Sequence, residues 1–215
     1  FENLIIKSKL LKLFNINFNI FIRTLFITFS FLWVTYLGSK LGEEYLAVNT
    51  ILMQFIILAA FFLDAYAFST EGIVGFAIGR KNKNSFLEVV KNSIQVSFFT
   101  ALLISIFYII FFKQIINTIT DIEILRYIIY QHIIWIIIIP PIASVCYQLD
   151  GIFIGASQTK EMRNAMIVSV LSFVGISIYL TKYYENHGLW FSLLLFMILR
   201  SLTLQFYFKQ ILKKF

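Results

Sequence analysis

The sequence predicts an all-α integral membrane protein, a six-transmembrane-helix bundle, and three observations carry that prediction. First, 60% of its 215 residues are hydrophobic, 25 are Phe and only 13% are charged, which is more apolar surface than a water-soluble chain of this size can bury. Second, the apolar residues fall in long continuous runs, each enough to carry a helix across hydrocarbon about 30 Å thick, whereas a transmembrane barrel would alternate in segments of about ten residues. Third, the cationic residues collect at one end of those runs.

Each run is read in chain order. Residues 1–17 mix Lys7, Lys9 and Lys12 with Leu, Ile and Phe, and read as a basic amphipathic linker. They lack the small-residue cleavage site of a signal peptide, and with Phe rather than Met in first place the chain is expected to begin within a longer protein. The first span covers 18–37, with Arg23 at its start. The second covers 46–68, holds Asp64, and continues through Glu71 to the glycine-rich exit Gly75-Phe-Ala-Ile-Gly79. The third covers 94–112. The fourth covers 124–147 and contains Pro140 and Pro141, which lack N–H donors and are expected to bend or break the helix, a device by which transporters expose backbone to substrate. It exits through Asp150 and Gly151-Ile-Phe-Ile-Gly155, an echo of the earlier exit that reads either as internal repetition or as two coincident small-residue motifs. Spans at 166–184 and 189–208 complete a single lobe over 1–215, the last carrying Arg200.

Charge sets the expected orientation. Lys7, Lys9, Lys12, Arg23, Arg80, Lys81, Lys83, Lys91, Lys160, Arg163, Lys209, Lys213 and Lys214 fall on one side. Only Lys40, Lys113, Arg126 and Lys182 fall on the other, beside Glu43, Glu44, Asp121, Glu123 and Glu185. Basic loops stay cytoplasmic, so both termini of this chain are expected inside an inner (plasma) membrane. The net charge of +7 therefore reflects topology, and nucleic acid is not an expected partner.

Within the bilayer a carboxylate is costly and usually functional. Asp64 and Glu71 are seven residues apart, on one helical face and about 10 Å apart along the axis, which suits a polar path. Each also has a structural reading: a helix-to-helix hydrogen bond for Asp64, an ion pair with Arg80 or Arg163 for Glu71, and a cap or loop anchor for Asp150. Arg200 reads as the buried charge partner of an acid. Tyr66, Tyr147 and Trp135 are candidates to line a cavity for flat cations. An enzyme is not expected: His132 and His187 form no metal-binding pattern, no phosphate-binding Gly-Lys-Ser/Thr loop occurs, and the single Cys146 lies in an apolar run. No catalytic residue, resident metal or organic cofactor is expected.

LDAYAFSTEGIVGFAIGRKNK (Leu63 to Lys83), LDGIFIGASQTKEMRNAM (Leu149 to Met166) and NHGLWFSLLLFMILRSLTL (Asn186 to Leu204) occur in that order after IFIRTL (Ile20 to Leu25). Together they resemble the C-terminal half of a MATE (multidrug and toxic compound extrusion) transporter of the DinF-like branch. The resemblance implies one lobe of a twelve-helix protein that alternates access around a central cavity. It further implies efflux of organic, often cationic, compounds in exchange for H+ or Na+. The partners so implied are the lipid bilayer, a small organic substrate and a missing N-terminal six-helix lobe. Among the acids, Asp64 becomes the first candidate for ion coupling, followed by Glu71 and Asp150. A flippase for lipid-linked saccharides, a non-transporting scaffold and a gene fragment stand as alternatives.

Overall fold

The computed structural model describes residues 7–215, as helices joined by tight turns. Helical runs are α1 (Lys7–Leu41), α2 (Glu43–Gly79), α3 (Lys83–Ile119), α4 (Glu123–Gly155) and α5 (Thr159–Leu212). Residues 1–6 of the expected linker lie outside the described residues. The remainder of that stretch is helical and continuous with the first span, because nothing between Lys7 and Phe18 breaks a helix.

α5 holds 54 residues, about 80 Å if straight and more than twice the hydrocarbon thickness. It is not straight. Glu185 leaves helical geometry at φ 49° and ψ −131°, and the chain turns back on itself. Ser169 meets Thr203 at 3.4 Å, and the Phe173 and Phe196 rings lie 5.2 Å apart, so the arms 159–184 and 186–212 are antiparallel. At the fold a Cβ on Gly188 would sit 2.2 Å from the Leu180 carbonyl oxygen, so only glycine lets the arms close. A buried amide network fixes the hinge to α2: Asn49 Nδ2 donates to Asn186 Oδ1 at 2.7 Å, and Trp190 Nε1 donates to Asn49 Oδ1 at 2.8 Å.

The two glycine-rich exits end their helices alike. After α2, Asn82 N–H donates to the Ala77 carbonyl and Lys81 N–H to Ile78. After α4, Gln158 N–H donates to Phe153 and Ser157 N–H to Ile154. Lys81 and Ser157 share φ 53°, the positive-φ residue of a Schellman ending. The pentapeptide echo is thus a repeated helix termination.

α2 and α4 run parallel and approach through those glycines. A Cβ at Gly151 would lie 2.3 Å from the Ala67 carbonyl oxygen, and one at Gly155 would lie 2.4 Å from that of Glu71. Without hydrophobic drive between helices in lipid, close backbone packing of this kind supplies the association energy. α3 lies antiparallel to both: Tyr108 donates to the Phe55 carbonyl at 2.7 Å, and Phe112 faces Tyr130 at 6.1 Å. α1 runs beside the first arm of α5, where Trp33 Nε1 donates to Ser177 Oγ at 2.9 Å. Phe61, Phe68, Leu103, Leu171 and Phe206 are exposed on the outside, as lipid contact requires.

The expected break at Pro140 and Pro141 does not occur; α4 is continuous through both. Pro141 supplies no N–H to the Ile137 carbonyl, and Ser105 Oγ from α3 donates to that oxygen instead at 2.8 Å. A neighbouring hydroxyl thus repairs what proline removes.

Candidate functional site

The apolar run of α4 ends in Tyr147-Gln148-Leu149-Asp150, all buried, so Asp150 faces the bundle interior about a turn and a half before the helix ends. It neither caps the helix nor anchors the loop. Its Oδ2 accepts from Arg23 of α1 and from Arg200 of the second arm of α5, joining three helices at one carboxylate. Side-chain exposure is 5% for Asp150, 3% for Arg200 and 16% for Arg23. Arg200 is sheltered further by the rings of Phe196 at 5.7 Å and Tyr147 at 5.9 Å.

Two guanidinium groups on one carboxylate leave an excess positive charge, which is expensive in a low-dielectric bundle. Asp64 lies within coulombic range of Arg23, Asp150 and Arg200, and in its ionised form it would bring the four groups to neutrality. Asp150 Oδ1, Arg23 Nε and Arg200 Nε have no hydrogen-bond partner among the described residues. The cluster therefore holds both unused donors and an unused acceptor, and each change in its net charge is strongly felt.

Asp64 and Glu71 are both half-exposed on α2. Neither forms an ion pair or side-chain hydrogen bond among the described residues, so the structural partners expected for them are not the ones observed. Arg80 lies over the Phe76 ring at 4.2 Å and Arg163 donates to Asn19 at 2.8 Å instead. Thr50, Gln54, Asp64 and Glu71 follow one helical stripe, and its upper part lines an approximately 220 Å3 cavity between α1 and α2 with Thr28, Thr35 and Asn49.

The aromatic candidates do not converge. Tyr147 belongs to the charge cluster. Tyr66 is exposed and accepts from Thr100 at 3.2 Å, and Trp135 donates to His187 at 3.1 Å near the Glu185 hinge. Beyond these, sequence reasoning missed Arg23, counted as a flanking cation; an arginine one turn and a half into an apolar run was the available signal. It also missed Gln148, which accepts from Thr70 at 2.9 Å and ties α4 to α2. Among the described residues no group of three or more His, Cys, Asp or Glu is placed to hold a metal.

Among the described residues five long apolar helices, the last folded into two arms at Glu185, surround a buried mixed-charge cluster and define a polytopic membrane protein. The MatE family model matches residues 20–181, and the chain belongs to that family. Over 193 residues it is 34% identical to the DNA damage-inducible protein F of Escherichia coli (strain K12), covering 90% of this chain and 42% of that protein. Protein DETOXIFICATION 43 of Arabidopsis thaliana is 24% identical over 182 residues, covering 84% of this chain and 34% of its own length. A solved Vibrio cholerae MATE transporter superimposes with a TM-score of 0.87 at 16% identity, covering 99% of this chain and 49% of that one. A MOP superfamily transporter from Pyrococcus furiosus gives a TM-score of 0.78 at 17% identity. The chain spans less than half the length of these relatives, a partial MATE transporter with the architecture of one lobe.

Proposed function

We propose that this lobe is the C-terminal half of a secondary active antiporter that exports organic compounds, cationic ones among them, in exchange for H+ or Na+. The observation that carries the reading is the α2 stripe: Asp64, half-exposed within the predicted second span and without an ion pair among the described residues, stands within coulombic range of the buried Arg23–Asp150–Arg200 cluster. Protonation of Asp64, or Na+ beside it, changes the net charge of that cluster by one unit, and substrate competes for the same carboxylate. The coupling ion serves in place of a cofactor. A second six-helix lobe supplies the opposite wall of the path, and the excess of basic residues at one end of the helices supports a plasma-membrane topology with both termini of this chain cytoplasmic.

The convergence of Arg23 and Arg200 favours a second reading, a flippase for anionic lipid-linked saccharides. Both guanidinium groups are engaged by Asp150, which weakens it.

The test is Asp64→Asn in the full-length protein, in membrane vesicles loaded with ethidium and given an imposed H+ or Na+ gradient. Gradient-driven efflux is expected to disappear while the unfolding midpoint stays within a few degrees of wild type. Unchanged efflux with unchanged ion dependence removes Asp64 from coupling.

A further inference from the structure

One end of the bundle carries a cavity that the transport reading leaves unused. It measures about 530 Å3, within the range of about 300–1,000 Å3 typical of small-molecule sites. One face of α1 (Leu11, Lys12, Asn15, Asn19) forms one wall, and the turn after α4 with Lys160 and Glu161 forms the other. Lys214 reaches the same turn from the end of the chain, donating to the Ala156 carbonyl.

The charges here are unbalanced. Lys12 and Lys160 line the cavity with one carboxylate, Glu161, Lys214 stands at its turn, and none of the three lysines forms an ion pair among the described residues. Burial first, and then the positive field of Lys12, hold the Lys214 ammonium below its ordinary range, with Glu161 opposing. Lys12 lies in the first turns of α1, ahead of the run 18–37 expected to cross the hydrocarbon. Next to it Leu10, Leu13, Phe14 and Phe18 are all exposed. This is the amphipathic stretch noted in the sequence, and its apolar side continues from the cavity into the lipid-facing wall of the bundle.

We propose that this cavity binds the phosphate-bearing headgroup of an anionic phospholipid. Lys12 and Lys160 hold the phosphate, Asn15 supplies an amide donor, and the acyl chains follow Leu10, Phe14 and Phe18. Basic pockets between helices at the membrane surface suit such headgroups, and the apolar wall gives a lipid an advantage over a free anion.

Native mass spectrometry of the full-length protein in detergent tests this, with titrations of phosphatidylglycerol, phosphatidylcholine and inorganic phosphate. Wild type is expected to retain one phosphatidylglycerol about thirtyfold more tightly than the Lys12→Gln/Lys160→Gln variant. Lys12→Arg/Lys160→Arg and the control Lys81→Gln/Lys83→Gln are expected to keep that affinity, and high salt to reduce it. Equal retention by wild type and the Gln variant overturns the proposal, as does equal retention of phosphatidylcholine. Inorganic phosphate binding as tightly as phosphatidylglycerol identifies a soluble anion and overturns the lipid assignment.

Discussion

Replacing Asp150 with Asn keeps the size of the side chain and removes its charge, so the effect reports the ion cluster rather than packing. Two guanidinium groups then share a neutral amide, one of them on an arginine only 3% exposed at its side chain. Removing one partner of a buried pair costs about 3–5 kcal/mol. For a chain of this size each kcal/mol moves the unfolding midpoint about 2–4 °C, so a fall of about 6–20 °C is expected. Adding Arg200→Met to Asp150→Asn removes the more deeply buried orphan cation. Arg23, at 16% exposure, stays within reach of Asp64 and water, so the double variant is expected to recover at least half of the loss. Thermal unfolding of the four proteins of this cycle, followed by intrinsic fluorescence in detergent, is the assay. A midpoint for Asp150→Asn within about 2 °C of wild type, or strictly additive losses in the double variant, would refute a three-helix ion cluster.

Two further outcomes follow from the packing. Gly151→Ala must push α4 from the Ala67 carbonyl, so it is expected to cost about 1–3 kcal/mol, whereas Gly175→Ala meets nothing within 4 Å and is expected to gain about 0.5–1 kcal/mol from helix propensity. Paired unfolding midpoints check this, and two shifts of the same sign would contradict the close α2–α4 contact. Ser105→Ala is expected to cost about 1 kcal/mol by orphaning the Ile137 carbonyl, and less when Pro141→Ala restores a local N–H donor. A double-mutant cycle measures that coupling, and its absence would remove Ser105 from the repair of α4.

The class of protein was legible because it rests on transfer energies that sum along the chain. An apolar run of twenty residues has few fates, and clustered cations mark its ends whatever the neighbouring helices do. The family was legible for a related reason: two of its motifs sit at helix exits, where glycine, polar and basic residues follow one another in order, and the others lie within the first and last spans. The site was only partly legible. Arg23 looks like a flanking cation until α1 is seen to place it on Asp150, 127 residues further along the chain. Glu71 was expected to pair with Arg80 or Arg163 and forms an ion pair with neither. Pro140 and Pro141 predicted a bent or broken helix because their own missing donors are visible in sequence, while the hydroxyl that compensates belongs to α3. The turn at Glu185 was legible as the gap between the runs 166–184 and 189–208, with Gly188 in it, but the tie from Asn186 to Asn49 of α2 that holds it was not.

The sequence by itself determined the solvent, the helical class, the membrane-depth acids and the family. These follow from composition, run length and local order, which need no knowledge of which helices touch. Tertiary structure alone decided which charges share a site, which glycines carry backbone contact, and whether a proline breaks its helix. Each of these depends on a partner distant in sequence, and in a low-dielectric bundle that partner decides whether a buried polar group is satisfied or exposed to a large cost.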